Sequence, residues 1–162
     1  MTIKIIEVDY SNSQQAEDLV YMLNEYANDP MGGGEPLSNF ARDNLTKELS
    51  QLPYAFSLLC YVDDSPAGFA NCFESFSTFK CKPVIYIHDF AVKDGFRGRK
   101  LSQKILDQIE SIGIKRGCCK ITLEVLEGNT VAQNAYQKYG FKPYQLDSNY
   151  GSAQFWQKEI KQ

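Results

Sequence analysis

The sequence predicts an α/β (α+β) protein with a mixed central sheet, and three observations carry that prediction. Segments of strand-like and helical apolar spacing follow one another in the order β-α-α-β-β-β-α-β-α-β. Three strands run consecutively between Ala55 and Val92, whereas a doubly wound nucleotide fold alternates strands with helices. The turn that combines glycine with clustered basic residues follows the fourth strand, not the first as in that fold.

Each element has a local reason. Ile3, Ile5 and Val8 suggest a first strand. Ser11 or Ser13 then caps a helix with Ala16, Leu19, Val20, Leu23 and Tyr26 on one face. Asp29 to Pro36 holds Gly32-Gly33-Gly34 between two prolines and is neither helix nor strand; ordering so many glycines is costly, which suits a mobile lid or a flexible connector. A second helix follows Ser38, with Phe40, Leu45 and Leu49 as its apolar side. Ala55 to Val62 and Ala67 to Phe73 form a hairpin around Asp63-Asp64-Ser65-Pro66. Phe76 to Pro83 leads to the central strand, Val84 to Val92. The following helix carries Leu101, Ile105, Ile109 and Ile112 at helical spacing. Lys120 to Val125 is the next strand, and Thr130 to Tyr139 a helix closed by Gly140 and Phe141. Gln154 to Ile160 ends the chain as a further strand.

The helix after the central strand begins with the wrong charge. Arg97, Arg99, Lys100 and Lys104 crowd an end where the macrodipole is already positive and backbone N–H groups lack partners. An anion on the turn reverses that penalty. The pattern fits a phosphate site, or an ordinary turn with solvated basic residues. The Gly32–Gly34 run is not a phosphate loop, since no Gly-Lys-Ser/Thr follows it.

Composition narrows the field. A chain of 162 residues, 43% hydrophobic and 23% charged, fits one globular domain over 1–162. A net charge of −3 gives no sign of a nucleic-acid coat and is compatible with a cationic substrate. Residues 1–9 lack a signal-peptide core, and no apolar run approaches the roughly 18 residues of a membrane span. A cytoplasmic protein without membrane contact is expected. Five cysteines without a C-x-x-C pair, and one histidine, His88, make no zinc site, so no metal is expected. Cys60 and Cys72 lie in apolar runs as core residues.

Two motifs then carry a resemblance. Arg97-Gly98-Arg99-Lys100-Leu101-Ser102 falls on the R/Q-x-x-G-x-G/A pyrophosphate motif of the GNAT acetyltransferases, with Lys100 in place of the usual glycine and Ser102 in place of Gly or Ala. Leu123-Glu124-Val125, Asn129, Ala132, Ala135-Tyr136 and Tyr139-Gly140-Phe141 resemble that family's LEV…N…A…Y…GF run. The strong likeness spans about residues 84–141. It implies a GNAT fold, a mixed sheet of six to seven strands flanked by about four helices with splayed central strands, and acetyl-CoA (coenzyme A) as acetyl donor.

By that resemblance the backbones of Phe90, Ala91 and Val92 hold pantetheine, and one of their amides polarises the thioester carbonyl. Arg97, Arg99 and the amides of Gly98, Arg99, Lys100, Leu101, Ser102 and Gln103 hold the pyrophosphate, while Asn129 contacts the pantetheine arm or an ordered water. Lys100 either adds a charge-assisted phosphate contact or crowds the cofactor. Glu124 and Tyr136 stand at a spacing that resembles the base and acid of ribosomal-protein N-terminal acetyltransferases. Glu124 is then the general base, through water, and Tyr136 both meets the cofactor and protonates the leaving thiolate.

His88 and Asp89 are rival bases, and Asp89 also suits a cationic substrate. Strict alternation puts His88 on the face of Phe90 and Val92 and Asp89 on the other. Asp29 and Glu35 are placed to meet a positive amine, and Phe76, Phe79, Tyr150 and Trp156 to wall it. The expected reaction is acetyl transfer to a primary amine of a small molecule or peptide by direct attack in a ternary complex. The alternative is a non-catalytic acyl-CoA-binding module of the same fold. A homodimer through the C-terminal strand is compatible with the sequence.

Overall fold

A computed structural model describes residues 1–161. The elements are β1 (Ile3–Glu7), α1 (Ser13–Asn28), α2 (Asn39–Ser50), β2 (Ala55–Val62), β3 (Ser65–Ser77), β4 (Lys82–Val92), α3 (Leu101–Lys115), β5 (Ile121–Leu123) and α4 (Thr130–Tyr139). The chain divides into two compact units, Met1–Leu123 and Glu124–Gln162.

In the first unit the strands form one sheet in the order β1-β2-β3-β4-β5. The first four pair antiparallel and β4 pairs with β5 in parallel, so the sheet is mixed as expected. Asp63 and Asp64, both with positive φ, make the tight turn between β2 and β3. On one sheet face Leu19 and Met22 of α1 and Leu49 of α2 pack with Val8, Leu59 and Phe69. On the other lies α3, whose Leu101, Ile105, Ile109 and Ile112 are buried as their spacing predicts. The fit is close: a Cβ on Gly68 would meet Ile105 Cδ1 at 2.9 Å.

Several details differ from the sequence expectation. Asn12, not a serine, caps α1, its side chain accepting from Gln15 N–H. Phe40 is 74% exposed, since five residues before Leu45 it falls off the buried stripe. β5 stops at Leu123 rather than Val125. Among the described residues, Gln154 to Ile160 joins no ladder, which leaves five strands instead of six to seven. An alternating pattern becomes a strand only where another strand's N–H and C=O groups meet it.

The second unit is built on α4. Asn129 Oδ1 accepts from Ala132 N–H at 3.2 Å at its start. At its end the N–H groups of Gly140 and Phe141 both reach Tyr136 O, and the Phe141 ring packs against Tyr136 and Tyr139. This is the closure that Gly140-Phe141 predicted.

Candidate active site

The site begins where β4 loses a neighbour. β5 pairs with Ile85, Tyr86 and Ile87 of β4, and among the described residues the ladder between the two strands ends there. Lys93 N–H donates to Ala67 O, and main-chain groups alternate sides along a strand. Ala91 therefore turns its N–H and C=O toward β3, while Phe90 and Val92 turn theirs away from it, where Val92 O accepts from Arg97 Nε at 3.3 Å. Of the three backbones expected to hold pantetheine, Ala91 spends its groups within the sheet.

The turn after β4 is shaped for an anion. Gly98 (φ 79°) and Lys100 (φ 58°) are left-handed, and the helix starts at Leu101. A left-handed residue followed by a helical one turns successive N–H groups inward as a nest. Lys104 N–H to Lys100 O is the bond that opens α3, and the N–H groups before it have no carbonyl four residues back within the helix. Left-handed geometry explains why a glycine suits the Lys100 position; a lysine there costs about 1 kcal/mol. Arg97 pairs with Asp94 at 2.7 Å, and both side chains are largely exposed, so the pair is weak and readily exchanged. Arg99 lies over the Phe96 ring at 5.3 Å. Leu101 is buried, so its side chain anchors the helix and only its amide can serve the turn. Ser102 and Gln103 lie in the first turn of α3.

On the α1 side of the sheet a second cluster faces the same end of β4. The register between β3 and β4 slips between Asn71 and Cys72, which leaves His88 as an extra residue, a β-bulge. The expected alternation fails here: His88 joins the face of Asp89, with its Nδ1 3.2 Å from Asp89 Oδ1 and its ring edge-on to Phe73 and Tyr86. Phe90 and Val92 stay on the α3 side, Val92 packing at Gly68. The His88 side chain is 55% exposed and that of Asp89 16%. Burial pushes the Tyr26 phenol up, and the charges of Asp89 and Asp29 add to the shift.

The Asp29–Pro36 segment, expected as a mobile lid or a flexible connector, carries a set of hydrogen bonds. Asp29 Oδ1 accepts from Met31 N–H, Asp29 O accepts from Gly32 and Gly34, Glu35 N–H donates to Ala27 O, and Leu37 N–H donates to Asn24 Oδ1. A Cβ on Gly32 would fall 2.0 Å from Tyr26 O, so this glycine serves close approach. Glu35 is exposed at the end of the loop. Phe76, Phe79, Tyr150 and Trp156, expected as aromatic walls, are all strongly exposed. The residues missed in the sequence are Tyr26 as acceptor-face aromatic and Asn71, Ser57 and Tyr10 behind Asp89; none has a pattern of its own, since register brings them together. In the second unit Glu124 lies on the loop opening that unit, Asn129 caps α4, and Tyr136 sits within α4 against Phe141. Among the described residues no cluster could hold a metal ion.

A strand end that runs on to an anion-ready helix start suits an acyl-CoA ligand. The model of the "Acetyltransferase (GNAT) family" matches residues 19–141, and the chain belongs to that family. It is 32% identical over 73 residues to thialysine N-ε-acetyltransferase from Bos taurus, a match covering 45% of this chain and 42% of that one, so the shared stretch is less than half of either. It is 26% identical over 113 residues to a putative ribosomal protein bS18 alanine N-acetyltransferase from Bacillus subtilis, covering 70% and 71%. The structure of aminoglycoside N-acetyltransferase AAC(6')-Iy with a CoA-linked bisubstrate analogue superimposes with a TM-score of 0.76 at 19% identity, covering 99% and 100%. That likeness establishes the shared fold.

Proposed function

We propose that the protein is an acetyl-CoA-dependent N-acetyltransferase that acts on a primary amine by direct attack in a ternary complex. The observation that carries this reading is the left-handed turn at Gly98 and Lys100 that opens α3 just after β4, beyond the point where β4 stops pairing with β5. When bound, acetyl-CoA supplies an electrophilic thioester carbonyl and a thiolate leaving group. In the family likeness the backbone at this end of β4 meets the pantetheine arm. The amides from Gly98 to Gln103, with Arg97 and Arg99, offer donors to the diphosphate. Asn129 contacts the pantetheine arm in the family likeness.

The acceptor is a cationic amine. The charges of Asp89 and Asp29 both reach the Tyr26 phenol, and an ammonium entering there gains from negative charge and from an aromatic side chain. Glu35 lies at the end of the same loop. The relatives named above act, by their names, on thialysine, an N-terminal alanine and aminoglycosides. An alkyl amine, with a pKa of about 10.4, must lose a proton before it attacks. Glu124 takes that proton through water in the family likeness. A second reading, favoured by the 3.2 Å contact between His88 and Asp89, gives the proton to His88. Tyr136 gives its hydroxyl proton to the departing sulfur.

The test is CoA release across polyamines, thialysine, aminoglycosides and peptides with a free N-terminus, followed by loss of thioester absorbance. Turnover with one class of amine is expected, with kcat about 100-fold lower in Tyr136→Phe and CoA affinity unchanged. CoA binding without turnover on any amine would support the non-catalytic module instead.

A further inference from the structure

Two polar side chains are fully buried in the sheet among the described residues, Ser57 at 1% exposure and Asn71 at 3%. They stand opposite each other on β2 and β3. Neither meets the open edge or the turn, and buried polar groups persist only when paired. Their partners form one chain. Ser57 Oγ donates to Asn71 Oδ1 at 2.6 Å. A hydroxyl has one proton, so at the 2.8 Å contact Tyr10 Oη donates to Ser57 Oγ. Asn71 Nδ2 donates to Asp89 Oδ2 at 3.0 Å. The reverse amide orientation would set the amide oxygen against a carboxylate. Asp89 Oδ1 then faces His88 Nδ1 at 3.2 Å.

Every link points the same way and ends on a carboxylate, which accepts only when ionised. Nδ1 of His88 therefore carries a proton, and in the neutral ring the basic lone pair belongs to Nε2. The bulge completes the arrangement, because without the extra residue His88 and Asp89 would lie on opposite faces.

We propose that Asn71, Ser57 and Tyr10 are positioning residues that hold Asp89 and, through it, fix His88 as the Nδ1–H tautomer, so that Nε2 takes the acceptor amine's proton. This rests on the reading of His88 as base given above. Asp89 is then committed to orienting the imidazole, and its charge serves the incoming ammonium from behind the ring. Sequence alternation alone could not suggest the pair, since it separates the two side chains.

His88 is the one histidine of the chain, so its ring signals need no assignment by mutation. Nitrogen-15 and carbon-13 NMR of the protein without ligands, at a pH where the ring is neutral, should show the Nδ1–H form. Ser57→Ala and Asn71→Ala should move the population toward Nε2–H, and Tyr10→Phe, the mildest packing change, should move it the same way by less. Ser57→Thr keeps the hydroxyl and should keep the tautomer. In turnover, Ser57→Ala should lower kcat about fivefold with KM for acetyl-CoA unchanged, and Ser57→Thr should restore it. Circular dichroism confirms that each variant is folded. An Nε2–H ring in the unmodified protein, or a tautomer ratio indifferent to the three deletions, would overturn the proposal. A ratio that moves while turnover does not would leave the orienting chain standing and remove His88 as base.

Discussion

From Lys82 to Ile87, β4 is flanked by β3 on one edge and β5 on the other, whereas from His88 to Val92 only β3 remains. The first half buries Val84, Ile85 and Ile87, and the second keeps His88 exposed and the rest half-buried. One continuous strand thus serves two ends. Where both edges are paired, apolar side chains hold the sheet to α3. Where β5 no longer pairs, a bulge brings two polar side chains to one face.

Substitutions can break this contrast. Ile85→Ala, in the doubly paired half, should lower unfolding free energy by about 2–4 kcal/mol in denaturant melts, without a specific effect on CoA affinity. Gly32→Ala, beneath the acceptor face, should cost about 1–3 kcal/mol of stability, because its Cβ has no room beside Tyr26 O. Arg97→Ala, beyond the open half, should weaken CoA binding about tenfold in calorimetry and leave the melt unchanged. Smallest is Lys100→Gly, which should raise stability by about 1 kcal/mol by relieving the left-handed lysine. Its effect on CoA affinity separates the two roles of that side chain: weaker binding means a phosphate contact, tighter binding means crowding.

Much of the open half was legible in the sequence. The spacing of Leu101, Ile105, Ile109 and Ile112 gave α3 its buried face, and the basic crowding at its start pointed to an anion. The bulge was not legible, because alternation is a property of one strand and a bulge is a property of its pairing with β3. The Gly32–Gly34 run read as slack for a similar reason: local entropy favours motion, and only the approach to Tyr26 O and the bonds from Asp29 show it held. Gln154 to Ile160, expected as a closing strand, has adjacent aromatics and three polar residues in a row, and joins no ladder among the described residues. Buried Asn71 and Ser57 sit in apolar runs where nothing local marks them as partners of Asp89.

The open edge can be tested by hydrogen exchange of single amides, read by NMR with and without CoA. The amides of Ile85 and Ile87, already within the sheet, should be protected in both states. Those of Phe90 and Val92 should exchange faster in the free protein and become protected when CoA is added. Protection that appears elsewhere while Phe90 and Val92 stay unchanged would contradict the placement of the cofactor along β4.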